Sequence, residues 1–317
     1  MARASCRPAL AGLLIGIVLE VTRLSSVHGQ TANGFDLSNA SIPVEEVVGG
    51  GPPRDGIPAL TDPRFESVRQ AATWMLPNDR LLALELGSVA KAYPLRILNW
   101  HEVVNDRLGD RPVLVTYCPL CGTGMAFDAV VRGKRRTFGV SGLLYNSDVL
   151  MYDHETESLW SQIARLAVSG PLRGTRLELL PLVHTTWQRW SRDHPDGLVL
   201  SRETGYERDY ARDPYLSYAS DPRTMFPVSH RDPRLPEKEL VLGIEDDGAA
   251  IGFPLEALDE QARPVRARVG REEVFVYWFR ESWTAFATDL NGRRIPVTIA
   301  YWFAWSAFHP DTRVWHP

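Results

Sequence analysis

The chain has 317 residues, with 35 Lys and Arg against 39 Asp and Glu, and a formal net charge of -4 when its histidines are neutral. A mildly acidic chain with no basic tract argues against nucleic acid or an anionic membrane surface as a partner. A hydrophobic content of 44% suits one large domain or two ordinary ones, and only three cysteines rule out a disulfide framework.

The first residues read as an export signal. Arg3 and Arg7 form a basic start, Ala9 to Val21 is an apolar run broken only by Glu20, and Val27-His28-Gly29 suits cleavage before Gln30. The run is short for a bilayer span, so residues 1–29 are expected to be removed, leaving no membrane span and an extracytoplasmic, periplasmic or secreted, protein. Residues 30–64, rich in Gly, Pro, Ser and Asp, read as an extended arm laid over the body or left mobile. Asp62-Pro63 predicts a helix start running through Phe65, Val68, Ala72 and Met75.

From there the pattern turns to β. Leu81 to Leu86 and Val89 to Tyr93 predict two strands around Gly87-Ser88, Leu95 to Val104 a short helix, and Val113 to Tyr117 a buried strand. Met125 to Val131 and Arg136 to Val140 predict a hairpin about Gly133, with a further strand over Val149 to Tyr152. Leu182, Thr186, Trp187 and Trp190 are spaced as a helix ended before His194-Pro195. Residues 202–234, polar and dense in Asp-Pro and Tyr, read as a connecting loop between a first unit, 65–201, and a second, 235–317.

The second unit echoes the first. Laying Val113 on Val274 puts Tyr117 on Trp278, Thr123 on Thr284 and Asp128 on Asp289 without a gap, and Tyr145 to Trp160 is laid on Tyr301 to Trp315. The fold expected is therefore α+β and β-rich, two related units from an internal duplication with short helices. In this register Cys118 falls on Phe279 and Cys121 on Ser282, so the pair belongs to one unit alone. His154 is matched with His309 and read as structural. The aromatic tail from Phe275 to Trp315 is read as sheet core.

The chemistry centres on Thr116-Tyr117-Cys118-Pro119-Leu120-Cys121-Gly122-Thr123-Gly124. Two cysteines at this spacing can cycle between dithiol and disulfide, hold a soft metal, or form a spectator disulfide. The redox reading casts Cys118 as attacking and Cys121 as resolving thiol, with His101 or Glu102 moving protons, and needs a lowered thiol pKa but no cofactor. It makes the protein an oxidoreductase acting on a sulfur group of a thiol or small-molecule partner. The metal reading takes copper or zinc on Cys118, Cys121 and His101. The third makes the chain an extracytoplasmic binding module with a structural disulfide. Ser141 lacks the glycine two residues on that a nucleophile elbow needs. Asn146, Ser147, Asp148, Asp153, Ser161 and Gln162 form a polar cluster around apolar Met151 and Trp160 that, with Ser141 and Trp160, could line a ligand beside the cysteines or could satisfy buried backbone in a loop.

Val115 to Gly122, Phe138 to Asp148, Met151-Tyr152-Asp153 and Ser158 to Gln162, with Asn99 to Asp106 upstream, resemble the bacterial family catalogued as domain of unknown function 3179. Some of its relatives are labelled (seleno)proteins. The resemblance implies that a selenocysteine can stand at a cysteine of this motif, which favours redox chemistry, and it implies no substrate.

Overall fold

The computed structural model describes residues 31–261 and 263–317; the export-signal reading of residues 1–29 lies outside them. Strand takes 42% of the described residues and helix 14%, so the protein is β-rich, with short helices placed between strands. Among the described residues, no helix is long and apolar enough to cross a membrane.

The predicted strands at the start of the first unit form as Arg80–Leu86 and Val89–Pro94, an antiparallel pair. Gly87 supplies the left-handed residue of their turn at φ 61. The helix after them is shorter than predicted, Leu95–His101. It stops at Glu102, which adopts φ 56 and turns the chain into the strand Val103–Leu108. Arg111–Cys118 and Thr123–Asp128 complete an antiparallel meander.

Three sequence expectations are corrected. Phe65–Ser67 is a strand, and the helix beyond it is the single turn Val68–Ala71, whose start is set by a Ser67/Gln70 capping box and not by Pro63. The hairpin at Gly133 is confined to Val130–Val131 and Lys134–Arg135; Phe138–Tyr145 joins another sheet with Asp148–Asp153 and Val47–Gly49. Leu182–Thr186 is a strand, and the helix is Trp187–Asp193. In that segment β-branched residues hold the chain extended until Trp187.

Two groups of elements share one pairing order. Leu182–Thr186, Arg80–Leu86, Val89–Pro94 and Leu198–Leu200 lie side by side, the last pair parallel. Thr298–Tyr301, Leu240–Asp246, Ala249–Pro254 and Arg313–Val314 repeat that order, again with a parallel last pair. Val265–Val269, Glu272–Phe279 and Thr284–Thr288 form a meander in turn. Within this pattern Tyr301 to Trp315 does not correspond to Tyr145 to Trp160, which forms the turn and strands of another sheet. Its positional partner is the segment after Thr186: Trp187-x-x-Trp190-Ser191-x-x-His194-Pro195-Asp196 beside Trp302-x-x-Trp305-Ser306-x-x-His309-Pro310-Asp311. His194 and His309 end their helices with the same backbone angle, φ -133. His154 instead follows a strand and meets Thr137 through Nδ1 at 3.0 Å.

The halves are not independent layers. Thr284–Thr288 joins Leu182–Thr186 through His184 and Ala285, so both contribute to one nine-stranded sheet. The arm is docked: Val47–Gly49 and Leu60–Thr61 each extend a five-stranded sheet, and Phe35, Leu37 and Val47 are buried. The aromatic tail divides by face. Along Glu272–Phe279 it is Val274 and Val276 that face the core, while Phe275, Tyr277 and Phe279 take the other, partly exposed face. The buried aromatics are Trp302, Phe303 and Trp305 on the last helix.

His184 sits in the shared sheet with only its Nε2 near a partner, the Gly124 carbonyl at 3.4 Å. Burial pushes its pKa down to about 3. The unfolded chain therefore binds the extra proton between about pH 6.5 and 3, and folding stability falls as pH drops through that window. At pH 5 this amounts to about 2 kcal/mol relative to pH 7. Urea unfolding at both pH values should show that difference shrinking by about this amount in His184→Gln; equal pH responses in the two proteins would refute the assignment.

Candidate functional site

Cys118 ends its strand and Cys121 occupies the turn that leads into Thr123–Asp128. Cys118 pairs with Thr123 across the hairpin, and Gly122 takes φ 63 to close it. A second turn meets this one. Asn146 and Ser147 have φ 52 and 63, a two-residue connection between Tyr145 and Asp148 with both central residues left-handed. This is the conformation a tight hairpin demands, and one that asparagine tolerates. It aims the Ser147 carbonyl at both sulfurs, 3.9 Å from Cys118 Sγ and 3.3 Å from Cys121 Sγ. It also starts the next strand with Asp148.

Cys118 Sγ, Cys121 Sγ and a carboxylate oxygen of Asp148 all lie within 4.8 Å of one another, and all three residues are buried. Both thiols are free. Asp148 Oδ2 accepts the Ile163 N–H at 3.0 Å, while Oδ1 is buried with no hydrogen-bond partner. Burial pushes the Asp148 carboxyl up to about 7 and Glu102 up to about 8, the latter pulled back by Tyr215 and raised further by the Asp148 charge. Both thiols are pushed above their usual range, first by burial. The lowered thiol pKa expected of an exposed strand end is absent because the turn is covered and its neighbours are acids.

His101 is not in this group. Pro58 O can only accept, so His101 Nδ1–H donates to it at 2.7 Å, and Nε2 accepts the Tyr210 hydroxyl at 2.7 Å. Burial lowers its pKa to about 4, keeping the ring neutral. With both ring nitrogens engaged, the third position beside the sulfurs belongs to Asp148. Glu102, one residue on, lies outside the group of donor atoms within 4.8 Å of one another, though its charge, when ionised, raises the Cys118 thiol pKa.

The other candidates separate into braces and packing. Asn146 Oδ1 accepts from the Ser229 N–H and hydroxyl, each at 2.8 Å. Gln162 Nε2 donates to Thr116 Oγ1 at 2.7 Å and Thr123 O at 3.3 Å, bracing the base of the cysteine hairpin. Ser141 serves a bulge: its hydroxyl bonds the Leu150 carbonyl, and the register shifts between Val140 and Leu143. Asp153 and Trp160 hold each other at 2.9 Å in the core.

What the sequence reading left out comes from residues 202–234. Tyr218 donates to the Leu120 carbonyl at 3.0 Å, and Phe226 O takes the Ser147 hydroxyl at 3.1 Å. This segment, read as a connector, is a cover for the cysteine turn. Its density of tyrosine was the available signal. From the second half, Tyr301 N–H donates to Cys121 O at 2.8 Å.

The family described as "Protein of unknown function (DUF3179)" matches residues 54–312. The chain belongs to that family. In this DUF3179 chain the matched span contains both cysteines, Asp148, Glu102 and the covering segment. Neither the curated proteins nor the solved structures include a match to it.

Proposed function

We propose that this DUF3179 protein binds a soft or borderline metal cation through Cys118, Cys121 and Asp148. The observation that carries the reading is the mutual spacing, within 4.8 Å, of these three donor atoms in a buried place, where Asp148 Oδ1 has no hydrogen-bond partner beyond the two thiols that act on this carboxyl. A buried polar atom left without a hydrogen bond is costly, and a cation removes that cost. Two thiolates and a carboxylate suit zinc, with copper(I) favoured less because one donor is oxygen. Three protein donors leave a four-coordinate ion one further position.

The thiol-redox reading needs an exposed, easily ionised sulfur, whereas Cys118 and Cys121 are 1% and 0% exposed. The export reading is supported by the basic start and apolar run of residues 1–29, and a duplicated origin of the two halves by their common pairing order.

The test is elemental mass spectrometry of the natively produced protein beside its Cys118→Ser and Asp148→Asn variants. Near-stoichiometric zinc or copper in the wild type, falling at least tenfold in both variants, is the expected result. A metal-free wild type, with Cys118→Ser and Cys121→Ser differing in their effect on thiol reactivity, would instead restore dithiol cycling.

A further inference from the structure

A cleft of about 290 Å³ opens beside the cysteine turn, with Tyr117 and Pro119, the two neighbours of Cys118, in its wall. Tyr210 and Tyr215 from the covering segment and Tyr301 from the second half line it as well, together with Arg80. Of the charged groups in this cleft, most are already matched. Arg96 is paired with Asp79 at 2.5 Å. Asp213 accepts from the Asn99 side chain at 3.0 Å and the Tyr215 N–H at 2.8 Å.

Arg80 is different. Among the described residues no carboxylate lies within ion-pair reach of its guanidinium, and its Nε is buried with no hydrogen-bond partner. It is held in place by stacking on the Trp283 ring, 4.7 Å from the centroid. Half-buried guanidinium groups are normally met by a carboxylate, a carbonyl or water, and an arginine fork is shaped for a planar oxyanion. Its position is also built by the fold: Arg80 opens a strand of the first half, and Trp283 closes a turn of the second. The corresponding strand of the second half, Leu240–Asp246, opens with leucine.

We propose that this cleft binds a small organic carboxylate, its oxyanion on Arg80 and its apolar body against the rings of Tyr117, Tyr215 and Tyr301. A row of tyrosines gives flat apolar area with a polar rim, which suits such an amphipathic molecule better than a hydrated inorganic anion. The site is distinct from the metal site and does not depend on it.

Isothermal titration of the full chain with benzoate tests this, with benzamide as the uncharged isostere and inorganic sulfate as the hydrated anion. Saturable one-to-one binding of benzoate is expected, weakened at least tenfold for benzamide and in Arg80→Gln, with Arg80→Lys intermediate. An arginine Nε–H resonance missing from Arg80→Lys should shift when benzoate is added to the wild type, a readout that holds even if Arg80→Gln folds poorly. Equal binding of benzoate and benzamide, unshifted Arg80 resonance, or no saturable binding would each overturn the proposal. Tighter binding of sulfate than of benzoate would overturn the organic carboxylate assignment.

Discussion

On the proposed metal reading, chelation should lower the unfolding free energy by about 4 kcal/mol, the linkage value for a ligand held at about 1,000 times its Kd. The Cys118→Ser, Cys121→Ser double variant should show no response to chelator. The reasoning is local. Without a cation the site holds two thiols and the Asp148 carboxyl, with the buried Glu102 acting on them electrostatically, in a place where desolvation disfavours every charged form. A cation binds the deprotonated donors only when the two hairpin turns are assembled, so its binding free energy becomes folding free energy. Urea unfolding with and without chelator, at fixed pH and ionic strength, measures the effect. A wild-type midpoint that does not move would sink the prediction, as would an equal shift in the double variant.

Trp160→Ala is expected to be the most damaging of the substitutions among the polar set around the cysteines, at about 3–5 kcal/mol. The indole is 0% exposed and packs edge-on against Phe138 with centroids 5.8 Å apart. Its Nε1–H donates to Asp153 Oδ2, and Asp153 Oδ1 in turn accepts from the Thr156 N–H at 2.8 Å. Trp160→Phe keeps most of the packing but strips one donor from the buried Asp153 carboxylate, a loss of about 1–3 kcal/mol. Chemical denaturation should place the two variants in that order with metal content unchanged. A change below about 1 kcal/mol for Trp160→Ala, or a loss of metal from stably folded Trp160→Phe, would contradict a packing role and favour the ligand-lining one.

The contrast between Trp160 and Asp148 shows how far sequence reasoning reached. Both stood in one cluster, twelve residues apart in the chain, and nothing in their local pattern separated a core indole from a site carboxylate. What separated them was the turn at Asn146-Ser147. Its two left-handed residues bring Asp148 to the sulfurs and send Trp160 across the next strand pair, where it lies opposite Met151. The failure with His101 has a similar origin. Its place just before Glu102 and the Val103-Val104 segment leading toward the cysteine strand suggested a ligand, but Glu102 turns the backbone at φ 56, and His101 points to Pro58 and Tyr210 instead.

Local pattern was sufficient for the β-rich class, for the strands on either side of Gly87, and for the cysteine strand with its pair set on a turn. Those features depend on propensity, alternation and turn chemistry within a few residues. The family was legible for the same reason, in contiguous motifs. Three things were decided only by tertiary structure: the choice of Asp148 as third donor, the covering of the cysteine turn by residues 202–234, and the meeting of Arg80 with Trp283 across the two halves. Each joins residues far apart in the chain through sheet register and burial, and burial raises the thiol pKa that an exposed turn would have lowered. A sequence read one segment at a time carries the chemistry of each group, whereas its charge state and partners follow from what the fold packs around it.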